Sequence, residues 1–264
     1  MDRLFSKLHD QREDPNRDTK ANRRGDFSSI HSAITMGSGA KRPIRVHQKT
    51  DWTAAAEEAL HNDPDLADLC GWQSGIFTHN FPLVYGHLYR TLNALLGRDP
   101  SLRLNFPDRS IYTGFSVNYG PRTATLPHLD SGNYPSVPCV ITSLGRFNPD
   151  RGGHLYFPDL KIYIRFPPKC TVLFSSASIK HGNTAVRGAD AERMSITQYV
   201  AGGIVRFVRH RFRLVKEMSR QERLRLDGPP GYQWIKQRSR FSTPELLVDH
   251  RRQMRSDLDP YLIE

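Results

Sequence analysis

Cysteine is scarce in this chain of 264 residues: Cys70, Cys139 and Cys170 are the only three, odd in number and widely spaced. They form no CxxC pair and no zinc-ligand pattern, which excludes a disulfide framework and a cysteine-built zinc module. An intracellular, reducing location is the expectation. No stretch approaches the roughly 18 apolar residues of a membrane span, so no membrane partner is expected. The opening Met1-Asp2-Arg3-Leu4 leads into a polar run, and no secretory signal is expected. No internal repeat is found. Acidic residues are also short, 27 against 38 Lys and Arg, for a net charge of +11.

The distribution of that charge is more telling than its size. Residues 1–50 carry +5, residues 51–202 carry zero, and residues 203–264 carry +6. A neutral central block with basic flanks suits an enzyme acting on a polyanion, because cations along a phosphate backbone release counterions. The same charges also suit a solvated tail and a surface helix.

The chain divides accordingly. Residues 1–45 show no sustained apolar period, and 1–50 is expected to be a disordered basic segment. Residues 51–202 should hold helices and a strand-rich core. Asp51 or Thr53 is placed to cap a helix through Ala54–Leu60. From Pro82 to Leu96, Leu83, Leu88, Leu92, Leu95 and Leu96 share a helical face, with Gly97 as the stop. The period then changes to two. Strands are expected at Ile111–Tyr119, Val137–Leu144, Leu160–Phe166 (half-buried), Thr171–Phe174 and Ser195–Val200. Gly120-Pro121, Asn148-Pro149, Gly152-Gly153 and Pro167-Pro168 punctuate them. Short strands with regular turns predict an α+β fold, a sandwich or jelly roll with helices packed outside. Residues 203–264 read as a basic helical segment packed on the core. Arg206 to Arg225 holds eight basic residues against Glu217 and Glu222. Its outer face is either plain solvated surface or a track for a phosphate backbone. A further amphipathic piece is expected from Pro244 to Met254.

Three short motifs carry chemistry: His128-Leu129-Asp130, then His181, then Arg193-Met194-Ser195. On a strand, residues i and i+2 share a face, so His128 and Asp130 can converge on one ion. His181 must come from another strand that folds back alongside. Two imidazoles and one carboxylate are the ligand set of a facial triad for non-haem Fe(II), which leaves positions open for substrate and oxygen. The fork of Arg193 and the hydroxyl of Ser195 suit a small carboxylate. Arg187 competes for that role but lacks the following x-Ser and lies in a turn-like stretch. Asn118 and Tyr119, on the strand leading to the HxD, are candidates to face the same ligand or to be ordinary wall residues. Asn133 and Tyr134 are expected at the mouth, where a tyrosine would either stack on a base or be a plain loop residue. His154 is not expected to be a ligand, because the triad is already complete.

The run from Gly114 to Val200 resembles the double-stranded β-helix core of the Fe(II)/2-oxoglutarate-dependent dioxygenases. The matching pieces are the HxD, Gly152-Gly153-His154-Leu155-Tyr156-Phe157-Pro158, Phe166-Pro167-Pro168-Lys169-Cys170-Thr171-Val172-Leu173-Phe174, His181 and Arg193-Met194-Ser195. Gly114–Tyr119 and His181-Gly182-Asn183-Thr184 further resemble the fungal TET/JBP-like nucleobase oxygenases. The resemblance implies a double-stranded β-helix (jelly roll) with flanking helices. It implies Fe(II) on His128, Asp130 and His181, 2-oxoglutarate on Arg193 and Ser195, and O2 as co-reactant. The substrate it implies is a methylated nucleobase, such as 5-methylcytosine or N6-methyladenine in DNA or RNA, reached through the basic segment 206–225; the nucleus is the compartment that goes with it. Two alternatives stand beside this: a hydroxylase of a protein side chain or small molecule, and an inactive nucleic-acid-binding or interaction module. Lys169-Cys170 departs from the Gly-Asp turn common before the late strand, a turn variation. The cysteine-rich region of the animal TET proteins is absent, so any DNA contact must use another surface. Nothing bears on oligomeric state.

Overall fold

The computed structural model of the protein describes residues 1–12, 24–37 and 39–258. In chain order the main elements are α1 (Asp2–Gln11), β1 (Ser29–Thr35), β2 (Ile44–Arg45), α2 (Asp51–His61), α3 (Pro64–Asn80), α4 (Pro82–Arg98), β3 (Gly114–Asn118), β4 (Thr125–His128), β5 (Cys139–Arg146), β6 (Leu155–Phe157), β7 (Ile162–Ile164), β8 (Thr171–Phe174), β9 (His181–Asn183), β10 (Glu192–Tyr199), α5 (Gly202–Arg209), α6 (Arg220–Asp227), α7 (Tyr232–Arg238) and α8 (Leu247–Leu258). None of the described helices is long and apolar enough to cross a membrane.

Two antiparallel sheets carry the fold. One runs β2-β1-β3-β10-β5-β8 and the other β4-β9-β6-β7. From β3 onward the chain passes back and forth between them, so neighbours in sequence are mostly not neighbours in a sheet. Alternation along the strands of the larger sheet separates its two faces. Phe115, Val117, Leu144, Met194 and Ile196 point outward into a core shared with α1, α2 and α3. Val140 points the same way, into a second core built on α4 and α5. A buried network crosses this interface. Gln73 Nε2 donates to Thr142 Oγ1 at 2.7 Å, and Gln198 Nε2 donates to Gln73 Oε1 at 2.8 Å. On the inner face, Leu155, Phe157, Phe166 and Phe174 form a third cluster with Ile141 and Val172, joining the two sheets at one end.

Helix caps follow the local sequence. Thr50, one residue before the expected cap, closes a capping box with Thr53 at the start of α2. Asp63 caps α3 by accepting from the amides of Asp65 and Leu66. The α4 helix begins at Pro82 as expected but runs through Gly97 to Arg98.

The N-terminal expectation needs correction: order begins well before residue 51. In α1, Leu4, Phe5 and Leu8 line one face and are buried in the first core. Lys7 Nζ reaches Asp63 and Asp65, each at 2.7 Å, and Arg3 pairs with Asp65. Three apolar residues at helical spacing suffice once a core is present to receive them. The β1 strand pairs with β3 from Ser29↔Asn118 to Ala33↔Gly114, extending the larger sheet. The expected disorder at 13–23 lies outside the described residues.

Two other expectations change. Residues Ile162, Tyr163 and Ile164 are all exposed, because β7 is a sheet edge, so the half-buried strand expected at Leu160–Phe166 is shorter and more open. The basic stretch 206–225 is not one helix. Arg211 and Phe212 adopt left-handed backbone (φ 54° and 61°), which ends α5 and starts a new direction. Of its cations, Arg209 pairs with Asp227 at 2.9 Å and Arg213 with Glu222 at 3.0 Å.

Candidate metal and carboxylate site

Between the sheets lies a pocket of about 270 Å³, near the lower end of ligand cavities. Its smaller-sheet wall carries the three candidate ligands. In the ladder between β4 and β9, His128 stands directly opposite His181, and the ring centroids are 4.4 Å apart. The returning strand demanded by the sequence is therefore β9. Only His128 is within the strand; Asp130 lies just past its end, held by its amide donating to the Ser176 carbonyl at 2.9 Å. Between them Leu129 turns out to solvent. The spacing of two still brings both polar side chains inward.

The ligand atoms of His128, Asp130 and His181 all lie within 4.8 Å of one another. His128 Nε2 is 3.7 Å from Asp130 Oδ1, and His181 Nε2 is 3.9 Å from Asp130 Oδ2. Backbone carbonyls set both imidazole tautomers. His128 Nδ1 donates to the Leu126 carbonyl at 2.7 Å, and His181 Nδ1 donates to that of Ile179 at 2.9 Å. A carbonyl only accepts, so the proton sits on Nδ1 and Nε2 carries the lone pair. Burial, with the neighbouring His128, pushes the His181 pKa down against the pull of Ile179 and Asp130, which favours the neutral, ligating form. Gly182 lets the strands approach here: a Cβ would lie 2.6 Å from the Thr125 carbonyl oxygen.

Asp130 has a further neighbour, missed in the sequence. Arg24 Nη2 forms an ion pair with Asp130 Oδ1 at 2.5 Å, while this buried oxygen has no partner that meets hydrogen-bond geometry. A carboxylate oxygen in that state, beside two lone-pair nitrogens, fits a cation. Arg24, Phe27 and His31 all line the pocket, and all belong to the segment expected to be disordered. The Arg24 carbonyl accepts from the Leu126 amide at 2.6 Å, tying this segment to β4.

The opposite wall comes from alternation on β3 and β10. Arg193, Ser195, Thr197 and Tyr199 on β10, with Ser116 and Asn118 on β3, face the pocket. Arg193 is 2% exposed. Its Nη1 donates to the Thr123 carbonyl at 3.2 Å, its guanidinium lies 6.0 Å from the Phe166 ring centroid, and its Nε is buried with no hydrogen-bond partner. No carboxylate among the described residues pairs with it. Burial pushes its pKa down to about 10, so it remains charged at neutral pH. Asn118 Nδ2 donates to Ser195 Oγ at 3.0 Å, leaving the serine O–H as a second donor. Arg187, the competitor, is exposed.

Tyr119 requires correction as a ligand-facing residue. Alternation turns it to the helical side of the sheet, where it is fully buried and meets Trp52 edge-on at 5.8 Å. Asn133 lines the pocket, but Tyr134 does not reach the mouth; it is buried in the second core near His87. His154 stays out of the cluster and meets Thr184 instead. The period of β10 was enough to find Thr197 and Tyr199, since both follow Ser195 at steps of two. Nothing local pointed to Arg24 or His31.

Two imidazoles and a carboxylate on one wall, facing a buried guanidinium and hydroxyl on the other, define a candidate facial metal site with an adjoining anion seat. Among solved structures, the chain is similar to NgTET1 in complex with 5mC DNA, at 12% identity and a TM-score of 0.44, covering 76% of this chain and 66% of that one. It is also similar to an oxidoreductase of the 2OG-Fe(II) oxygenase family from Burkholderia pseudomallei, at 16% identity and a TM-score of 0.36, covering 75% and 77%. No family model matches the chain, and no curated protein matches it.

Proposed function

We propose that this chain is an Fe(II)- and 2-oxoglutarate-dependent dioxygenase, built on a double-stranded β-helix, that hydroxylates or oxidatively demethylates a nucleobase in DNA or RNA. The observation that carries the reading is Arg193: a charged guanidinium, buried without a carboxylate partner among the described residues, in the same pocket as the triad. A buried unpaired charge costs several kcal/mol (roughly) and is retained where a ligand supplies the counter-charge. The passage of the chain between β3-β10-β5-β8 and β4-β9-β6-β7 supports the jelly-roll assignment.

In this reading His128, Asp130 and His181 hold the metal through Nε2, a carboxylate oxygen and Nε2. Arg193 and Ser195 bind the distal carboxylate of 2-oxoglutarate, with Asn118 fixing the serine rotamer. When bound, iron and 2-oxoglutarate supply the oxidising chemistry: O2 is consumed, the keto acid becomes succinate and CO2, and a hydroxyl is left on the substrate carbon. The chain's own work is orientation and exclusion of water. Phe166, Leu155 and Ile141 supply apolar surface to a lining that is otherwise largely polar, and the burial of Arg193 strengthens its pairing with an anion.

The nucleobase half rests on charge. The central block is neutral, and the segments before and after it carry +5 and +6. A base would have to leave its stack to enter so small a pocket. Incubation with Fe(II), 2-oxoglutarate and methylated DNA or RNA, followed by nucleoside mass spectrometry, tests this. An oxidised or demethylated nucleoside formed alongside succinate is the expected result. Succinate without any changed nucleoside would move the substrate to a protein side chain or a small molecule.

A further inference from the structure

Apart from Arg209, the basic residues that converge in space lie outside the basic stretch 206–225. Four cations from four parts of the chain lie within electrostatic reach of one imidazole on α4. Burial of His87, together with the charges of Arg240, Arg90, Lys236 and Arg209, holds its pKa down to about 4. The packing that gathers them is visible in the contacts. Phe241 meets Phe81 edge-on at 5.9 Å, seating the turn after α7 against the start of α4. Arg251 Nε donates to the His79 carbonyl at 2.8 Å, and α5 and α8 both pack on α4.

Two of the four cations have acidic partners: Arg209 with Asp227 at 2.9 Å and Arg90 with Asp257 at 3.6 Å. Lys236 and Arg240 have none among the described residues. Between Asp227 and Glu245 the sequence contains Lys236, Arg238 and Arg240 and no acid at all. Like charges held together cost free energy that an anionic ligand would recover. The same short helix exposes large aromatics. Tyr232 is 45% and Trp234 61% exposed, and Lys236 Nζ lies 6.0 Å from the Tyr232 ring centroid. Cations interleaved with exposed aromatic faces suit a strand that offers phosphates and unpaired bases together. An acidic peptide would use the cations and leave the rings idle. His87 in turn is 6.3 Å from Tyr134, and the adjacent Asn133 lines the pocket.

We propose that Arg90, Arg209, Lys236 and Arg240, with Tyr232 and Trp234, form a binding surface for a single nucleic-acid strand outside the pocket. The surface deepens the nucleobase reading above and rests on it for its link to catalysis. It replaces the continuous basic helix expected at 206–225 with a site assembled from α4, α5, α7 and the turn that follows.

The experiment is fluorescence polarisation of a labelled single-stranded oligonucleotide with the full chain, titrated at several KCl concentrations. It needs no iron and no 2-oxoglutarate. Wild-type affinity falls as salt rises. Lys236→Ala lowers the slope of log affinity against log salt by about 0.7, and the Lys236→Ala/Arg240→Ala pair by about 1.4. Trp234→Ala weakens binding about tenfold on a normal strand and leaves an abasic strand of equal length unaffected. Lys236 and Trp234 are exposed, so both single variants keep the fold. If wild type binds while these variants match it in affinity and slope, the surface is overturned and the nucleobase reading stands. If wild type binds no strand at all, the surface is overturned as well, and the nucleobase reading is decided separately by the nucleoside assay.

Discussion

Arg193 is the residue on which stability and function pull apart. Its charge is buried and its Nε unsatisfied, so the ligand-free protein carries the cost. Arg193→Met should keep or raise the midpoint of thermal unfolding of the ligand-free protein, because an apolar side chain of similar length removes a desolvated charge. A clear drop in that midpoint would mean that the guanidinium is structurally satisfied, and that it is no anion seat. Tyr119 makes the opposite case. Its hydroxyl is buried without a partner on the helical side of the sheet, and burial pushes its pKa up. Tyr119→Phe should therefore be neutral or stabilising by about 1 kcal/mol, with 2-oxoglutarate affinity unchanged. These two neighbouring strands also show what was legible. The HxD and the R-x-S are each compact in sequence and were readable as chemistry. Whether Asn118 or Tyr119 faces the pocket depends on which side of β3 holds the helices, and that is a tertiary fact.

At the scale of elements, the N-terminal helix and strand were the main surprise. Composition over residues 1–45 is polar, and α1 offers just three buried apolar side chains, too few to announce a helix without the core that receives them. Leu8→Ala should cost about 2–5 kcal/mol, measurable as a shift in chemical denaturation; no change would mean that α1 docks only loosely. The strands β5, β8 and β10 were legible, because long-range pairing agrees with their own β-branched and apolar composition. The edge strand β7 was overread, since alternation alone does not reveal that one side has no partner strand. The break in 206–225 was hidden because left-handed backbone falls on Arg211 and Phe212, which carry no glycine signal. The α4 surface makes a prediction about pH. The folded-state value of His87, about 4, lies below that of an exposed imidazole, about 6.5. As pH falls, the unfolded chain takes up this proton first, so stability declines between about pH 6.5 and about 4 and depends little on His87 below that. His87→Gln should flatten the pH dependence of the unfolding free energy in that window; an unaltered slope would show that the imidazole is not held neutral.

Over the whole molecule, ligand pocket and net charge separate in part. The neutral block supplies β3 to β10 and most of the pocket wall, and the basic segments lie on either side of it in sequence. The N-terminal segment, though, sends Arg24, Phe27 and His31 back into the pocket wall, so it is part of the site and more than an electrostatic tail. Gly25 marks the contact: a Cβ there would lie 2.2 Å from the Ala124 carbonyl oxygen. The sequence could not show this, because the contact spans about a hundred residues and leaves no local pattern. The central claim is that the triad and Arg193 together seat one metal-bound keto acid. Anaerobic calorimetric titration of 2-oxoglutarate into Fe(II)-loaded protein tests it most directly. The expected result is stoichiometric binding in wild type, a loss of about 2–5 kcal/mol in Arg193→Met, and no metal-dependent binding in Asp130→Ala. Equal 2-oxoglutarate affinity in wild type and Arg193→Met, or binding that ignores the metal, would contradict it.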